Sequence, residues 1–220
     1  MKTIKLLTLC AAMLALTGAA HAVTVASYDV TGAQGSGFGG WAHAYDGSIA
    51  ADGSGTYTYS GGSGTLNDGV VPTNEGAAQL FALENNATIT LHLSELSQLS
   101  AITIFGGTLP NNSIPGTLSG WSVTIGATTM AFSSTDFGPG CESGLCSDSV
   151  SLVGSGLDLL ATDTVTLSSF SGGWSGYYDI GEVTVNGNLA AAVPEPETYA
   201  LMLAGLGAMG AVVRRRRALR

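Results

Sequence analysis

Between Val23 and Val193 the chain has no lysine and no arginine. All seven basic residues lie in the two ends, at Lys2, Lys5, Arg214, Arg215, Arg216, Arg217 and Arg220. Every acidic residue except Glu195 and Glu197 falls in the long middle segment, where only His43 and His92 can become cationic. Such a surface cannot neutralise phosphates, which excludes nucleic acid from the expected partners. Anionic lipid is excluded on the same ground. Charge of either sign is sparse, at 10% of residues, and no heptad pattern or charge-rich tail is present.

Both ends carry signals. At the start, Lys2 and Lys5 precede an apolar run from Leu6 to Leu16, and Ala20-His21-Ala22 forms an A-x-A site. This is the order of a secretory signal peptide over residues 1–22, with signal peptidase cutting so that the mature chain begins at Val23. Cys10 is not a lipid-attachment residue, because Leu9 stands where a small side chain is needed and Cys10 lies inside the apolar run.

The other end reads Val193-Pro194-Glu195-Pro196-Glu197, then an apolar stretch from Thr198 to Val213, then four arginines. The stretch is shorter than the ~20 residues a spanning helix needs, and its small residues (Ala204, Gly205, Gly207, Ala208) allow close helix approach. Pro194 and Pro196 keep the preceding chain extended. The whole segment, 194–220, resembles the PEP-CTERM sorting signal of Gram-negative bacteria, on Pro194, Glu195, Pro196, the apolar run and Arg214–Arg217. The resemblance implies recognition by exosortase, a membrane transpeptidase, and transient anchoring in the inner membrane by a transmembrane helix over 198–213. It then implies a place at the cell surface or in an exopolysaccharide matrix. A permanent tail anchor is the alternative, and either arrangement puts the arginines in the cytoplasm.

Export sets the redox state. Cys141 and Cys146 lie five positions apart, and an oxidising compartment makes a local disulfide their expected state. A metal pair would need further ligands, and no nearby histidine supplies them.

Residues 23–189 have the length of one domain, and 190–193 read as a linker. Short alternating runs of Val, Ile, Thr and aromatics, separated by Gly, Asn, Asp and Pro, predict an all-β, antiparallel β-sandwich. Strands are expected at 23–30, 56–59, 87–93, 101–105, 121–125 with 128–132 as a hairpin, 149–153, 164–170 and 178–185. A helical turn is expected over 93–99. Residues 31–76, dense in Gly and Ser, predict long loops around one or two edge strands. The second half resembles galactose-binding-like jelly-roll sandwiches, on Ala101–Phe105, the hairpin after Gly120-Trp121 and the closing run Asp179–Val185. A jelly-roll-like sandwich by itself assigns no function.

Catalytic motifs are absent or fail. Gly35-Ser36-Gly37-Phe38-Gly39-Gly40 matches G-x-G-x-x-G but lacks the following helix that the dinucleotide reading requires. His43 and His92 are far apart, and His92 sits on a predicted strand. Asp179 and Glu182 would point to opposite faces of one strand, so they would not converge as a glycosidase pair. Asp46 and Asp52 resemble a loose calcium loop but lack its dense acidic spacing, and a polar, low-charge surface that simply stays soluble is the plainer reading of the acidic domain. Trp121, at a strand start, is expected in the core. Trp41, Trp174, Tyr177 and Tyr178 sit in or beside glycine-rich loops, where rings can stack on sugar faces, Trp174–Tyr178 being the best candidate; core closure at the base of the last strand is the plainer reading of that segment.

The sequence therefore predicts a non-catalytic, exosortase-processed surface or matrix protein. A carbohydrate-binding module using the Trp/Tyr loops is the alternative, and an extracellular hydrolase the third.

Overall fold

The structure, a computed structural model, describes residues 21–37, 42–73, 77–108, 118–137, 144–173, 175–190 and 196–218. The chain divides into two compact units, Met1–Leu189 and Ala190–Arg220.

The first unit is all-β. Its strands are β1 His21–Val23, β2 Val25–Ala33, β3 Ser48–Ala51, β4 Tyr57–Gly62, β5 Leu80–Leu83, β6 Thr88–Thr108, β7 Leu118–Ile125, β8 Thr128–Ser133, β9 Gly144–Ser151, β10 Ala161–Gly172, β11 Tyr177–Ile180 and β12 Glu182–Leu189. Their described ladders are all antiparallel. A 3-10 turn, Leu157–Leu159, precedes β10.

The 21-residue strand β6 organises the rest. Its first part, Thr88–Leu93, lies between β2 and β10. Its second part, from Ala101 on, lies between β12 and β9. One strand thus feeds two groups of strands, whose inward side chains meet in one core. Tyr28, Leu91, Val123, Val165 and Leu167 enter it from the first group, and Ile102, Ile104, Val150, Val183 and Val185 from the second. This is the sandwich expected from strand alternation. Trp121, 1% exposed, is core as expected.

Several local expectations are corrected. The helical turn over 93–99 does not form, and the chain stays in β6. Leu93, Leu96 and Leu99 have helical spacing, but Leu96 is exposed while Leu93, Ser97 and Leu99 are buried. Pairing of Ser97 and Gln98 with β10 and β12 holds the segment extended. The expected strand 178–185 is broken at Gly181, whose N–H donates to the Phe105 carbonyl at 2.7 Å. A Cβ there would lie 2.7 Å from Pro72 Cγ, so only glycine lets the 68–72 loop close over the break. Within 31–76, the described residues include the end of β2 and two strands, β3 and β4, paired as a hairpin. Strand β5 was not foreseen.

In the second unit one helix, α1, runs Pro196–Ala218. Proline is tolerated in a helix's first turn, where its missing N–H has no intrahelical partner. The helix extends past the expected limits 198–213, through the arginines. Among the described residues, no helix is long and apolar enough to cross a membrane. A 16-residue apolar stretch at 1.5 Å per residue covers about 24 Å, short of the ~30 Å hydrocarbon layer.

Candidate binding groove

The segment 44–46 and the turn 63–65 are distant in sequence but stitched together. Asp46 N–H donates to Ser63 O at 3.0 Å and Thr65 N–H to Ala44 O at 3.0 Å. In return, Ser63 N–H donates to Asp46 Oδ1 at 2.6 Å and Ala44 N–H to Thr65 Oγ1 at 2.9 Å. Gly64 permits this approach, because a Cβ there would overlap the Ala44 carbonyl. Asn67 ties the turn to the start of β2, its Nδ2 donating to Val25 O at 2.9 Å.

Between these pieces lies a groove of about 710 Å³, lined by Thr24, Tyr45, Asp46, Ser63, Asn67 and Asp68 among others. Tyr45 is the aromatic side chain of the lining, and buried rings back it. Tyr45 lies 5.0 Å from Tyr28 and 5.4 Å from Tyr59, and His43 stands edge-on to Tyr59 at 5.1 Å. The Tyr45 hydroxyl donates to Tyr28 O at 2.7 Å and accepts from Gly62 N–H at 2.8 Å, which fixes the ring. His43 is 5% exposed, and its Nε2 lies 3.0 Å from the Tyr28 hydroxyl. Burial pushes the His43 imidazole down to about 4, so it is neutral at pH 7. Desolvation raises the Tyr28 phenol. The groove therefore offers carboxylate and amide acceptors beside a fixed ring and no cationic side chain, an arrangement suited to hydroxyl donors.

The candidate residues from the sequence fall as follows. Asp46 lines the groove, but Asp52 does not join it. Gly47 and the four residues of β3 lie between the two aspartates, and β3 alone spans roughly 13 Å of extended chain. Asp52 instead closes the β3–β4 turn, accepting from Thr56 Oγ1, Ser54 Oγ and the Ser54 N–H. Those hydrogen bonds, Thr56's foremost, take its carboxyl down to about 2. No group of three or more His, Cys, Asp and Glu that could hold a metal occurs among the described residues.

Tyr178 is corrected as a sugar contact. It is fully buried against Phe170, with ring centroids 5.2 Å apart. Its neighbour Tyr177 is half-buried on the other face, 5.2 Å from Phe81. Trp41 and Trp174 lie outside the described residues, as do Ala20, Cys141, Pro194 and Glu195. Ala22 and Val23 belong to β1, and Cys146 is buried on β9. Pro196 and Arg214–Arg217 belong to α1.

Among the described residues, the titratable groups Asp29, His43, His92, Asp148 and Glu182 are not brought together at one place. His92 Nε2 lies 2.8 Å from Asp29 Oδ2 on the neighbouring strand. Desolvation works to raise Asp29, but hydrogen bonds from His92 and Gly61 N–H bring it below the usual carboxylate range. The Ser36 hydroxyl donates to the His43 carbonyl, not to its ring. Asp148 and Glu182 are both buried, and desolvation pushes them up to about 6 and about 7. Asp148 stands opposite Ile104 and Glu182 opposite Phe105, on successive rungs of β6. Successive rungs face opposite sides of a sheet, so the two carboxyls do not share a cleft. Asp179 and Glu182 belong to separate strands, β11 and β12.

The tail decides the comparison with known proteins. Residues 192–217 match the PEP-CTERM protein-sorting motif. The PEP-CTERM motif signals export and exosortase processing. No curated protein matches the chain. Among solved structures, it is similar to a family 32 carbohydrate-binding module of C. perfringens NanJ in complex with galactose. Identity is 12%, with 56% of this chain and 82% of that one covered at a TM-score of 0.37. A fucose-binding module of Streptococcus pneumoniae is similar at 13% identity, covering 66% of this chain and 89% of that one, also at 0.37. The likeness at these scores is loose.

Proposed function

We propose that this chain is an exported, exosortase-processed bacterial protein of the cell surface or extracellular matrix, associated with exopolysaccharide and non-catalytic. The PEP-CTERM match over residues 192–217 carries the reading. In it, signal peptidase releases residues 1–22 and the domain spans 23–189. Residues 190–193 link it to a sorting signal whose Pro194-Glu195-Pro196 is read at the membrane while Arg214–Arg217 stay inside. In this reading the oxidising compartment joins Cys141 and Cys146 in a local disulfide. Replacing Pro194 and Glu195 by alanine in the native host is expected to leave unprocessed chain in the membrane fraction. Unchanged processing would contradict the reading.

Sugar binding is the second reading, favoured by the groove that sets Tyr45 beside Asp46, Asn67 and Asp68. Trp41, Trp174 and Tyr177 remain further candidate contacts. On a glycan array, Asp46→Asn with Asp68→Asn is expected to weaken binding at least tenfold with the fold intact. An array on which the wild type binds nothing ends this reading. An extracellular hydrolase ranks third, since Asp148 and Glu182 face opposite sides of the sheet.

A further inference from the structure

Strand β8 ends the sheet. Its partner among the described residues is β7 alone, in a ladder that runs from Ile125 opposite Thr128 to Gly120 opposite Ser133 without a register shift. One rung further on, Ser134 N–H donates to the Ser119 carbonyl at 2.8 Å. Bonded rungs alternate in an antiparallel pair. Thr128, Met130 and Phe132 therefore turn their backbone groups to β7, and Thr129, Ala131 and Ser133 turn theirs to the free edge. Ser133 is capped, its N–H donating to Asp136 Oδ2 at 2.9 Å and its carbonyl accepting from Asp136 N–H at 2.8 Å. Thr129 and Ala131 are exposed, and among the described residues nothing bonds their edge-facing N–H and carbonyl groups.

Sheet edges are ordinarily guarded by lysine, proline, bulges or other charge. β8 has none of these, and no Asp, Glu, Lys, Arg or His occurs from Leu96 to Thr135. Elsewhere the domain is acidic without lysine or arginine, so two copies repel except where charge is missing. Strand β3 gives the contrast. It too is bonded on one side only, but Asp46 and Asp52 flank it, and a self-pair there would set Asp46 of one copy beside Asp52 of the other. We propose that β8 pairs antiparallel with β8 of a second copy of this chain, across a two-fold axis at Met130. One register uses every free group: Thr129 stands opposite the other copy's Ala131 and Ala131 opposite its Thr129, each rung exchanging two N–H···O bonds. The same patch serves both copies, so the contact closes at a dimer. The added strand covers the edge-side surface of Met130 and Phe132, which pack only partly buried against the core.

The test uses protein purified from its native cells, by sedimentation equilibrium and by air oxidation of cysteine variants. Met130→Cys sets the two thiols on a facing, non-bonded rung with Cα atoms about 4.5 Å apart, within disulfide range. Thr128→Cys sets them about 14 Å apart along the strand. Wild type is expected to dimerise as concentration rises, and Met130→Cys to cross-link at least tenfold more than Thr128→Cys. Ala131→Pro removes one edge N–H and leaves the bonds to β7 in place. It is expected to weaken the dimer at least tenfold, as is Thr129→Glu, while Ile49→Glu on β3 leaves it unchanged. Circular dichroism checks that each variant is folded. A wild type still monomeric at about 1 mM, equal cross-linking by the two cysteine variants, or a dimer that neither edge variant weakens would overturn the proposal. A monomer whose Thr129 and Ala131 amides resist hydrogen exchange would also overturn it, and would assign the edge to another segment of the same chain.

Discussion

Glu182 is a carboxyl held away from water under the 68–72 loop, its Oε2 accepting from Gly69 N–H at 3.2 Å. Burial raises its folded pKa from 4.5 to about 7. A raised acid contributes stability that is fully present below its unfolded pKa and lost as pH rises through the folded value. Glu182 therefore favours the fold at pH 5 and opposes it at pH 8. Glu182→Gln is expected to be more stable than wild type at pH 8 by roughly 1–2 kcal/mol, after discounting for partial solvent access. The difference should shrink toward pH 5. Urea titrations at the two pH values check this, and an unchanged difference would contradict it. Residue-scale reading of the sequence had mixed success. Tyr177 and Tyr178 are adjacent on a strand and so point to opposite faces. That rule alone puts one ring in the core. Tyr45, Asn67 and Asp68 gave no local signal, because they converge only through the long-range pairing of 44–46 with 63–65.

At the scale of elements, strand alternation was legible and strand continuity was not. The β7–β8 hairpin around Gly126-Ala127 follows from Gly126, whose φ of 58° suits a tight two-residue turn. The length of β6 was hidden because Leu93, Leu96 and Leu99 mimic a helical stripe. The break between β11 and β12 was hidden because Gly181's neighbour in space is Pro72, far away in sequence. Two glycines hold these arrangements. Gly181→Ala is expected to destabilise the domain by roughly 1–3 kcal/mol, since its Cβ would press on the Pro72 ring. Gly64→Ala meets backbone at the Ala44 carbonyl, and it is expected to cost at least as much and to open the groove. Denaturant midpoints rank the two, and wild-type stability in either variant would contradict the packing described.

Over the whole molecule, the charge pattern reappears as pH dependence. Asp148 and Glu182, with folded values of about 6 and about 7, favour folding as pH falls. His43 opposes them: its pKa is depressed from 6.5 to about 4, so its contribution is present above pH 6.5 and lost as pH falls toward 4. From pH 8 to pH 5 the two acids outweigh the one base. The mature domain is expected to be more stable at pH 5 than at pH 8 by roughly 1–2 kcal/mol, or a Tm higher by about 2–8 °C. Lower stability at pH 5 would contradict these burials. The all-β class and the sorting tail were legible because periodicity and order of parts are local signals. What the folded domain contacts is not local, since its groove is assembled from segments about twenty residues apart.

The central claim is that the tail is a processed sorting signal. Intact masses of the protein from native cells, taken separately for membrane fraction and medium, test it directly. The account predicts a chain that starts at Val23 and ends near Pro194, or carries a cell-surface adduct there. A chain ending at Arg220 and confined to the membrane fraction would contradict it.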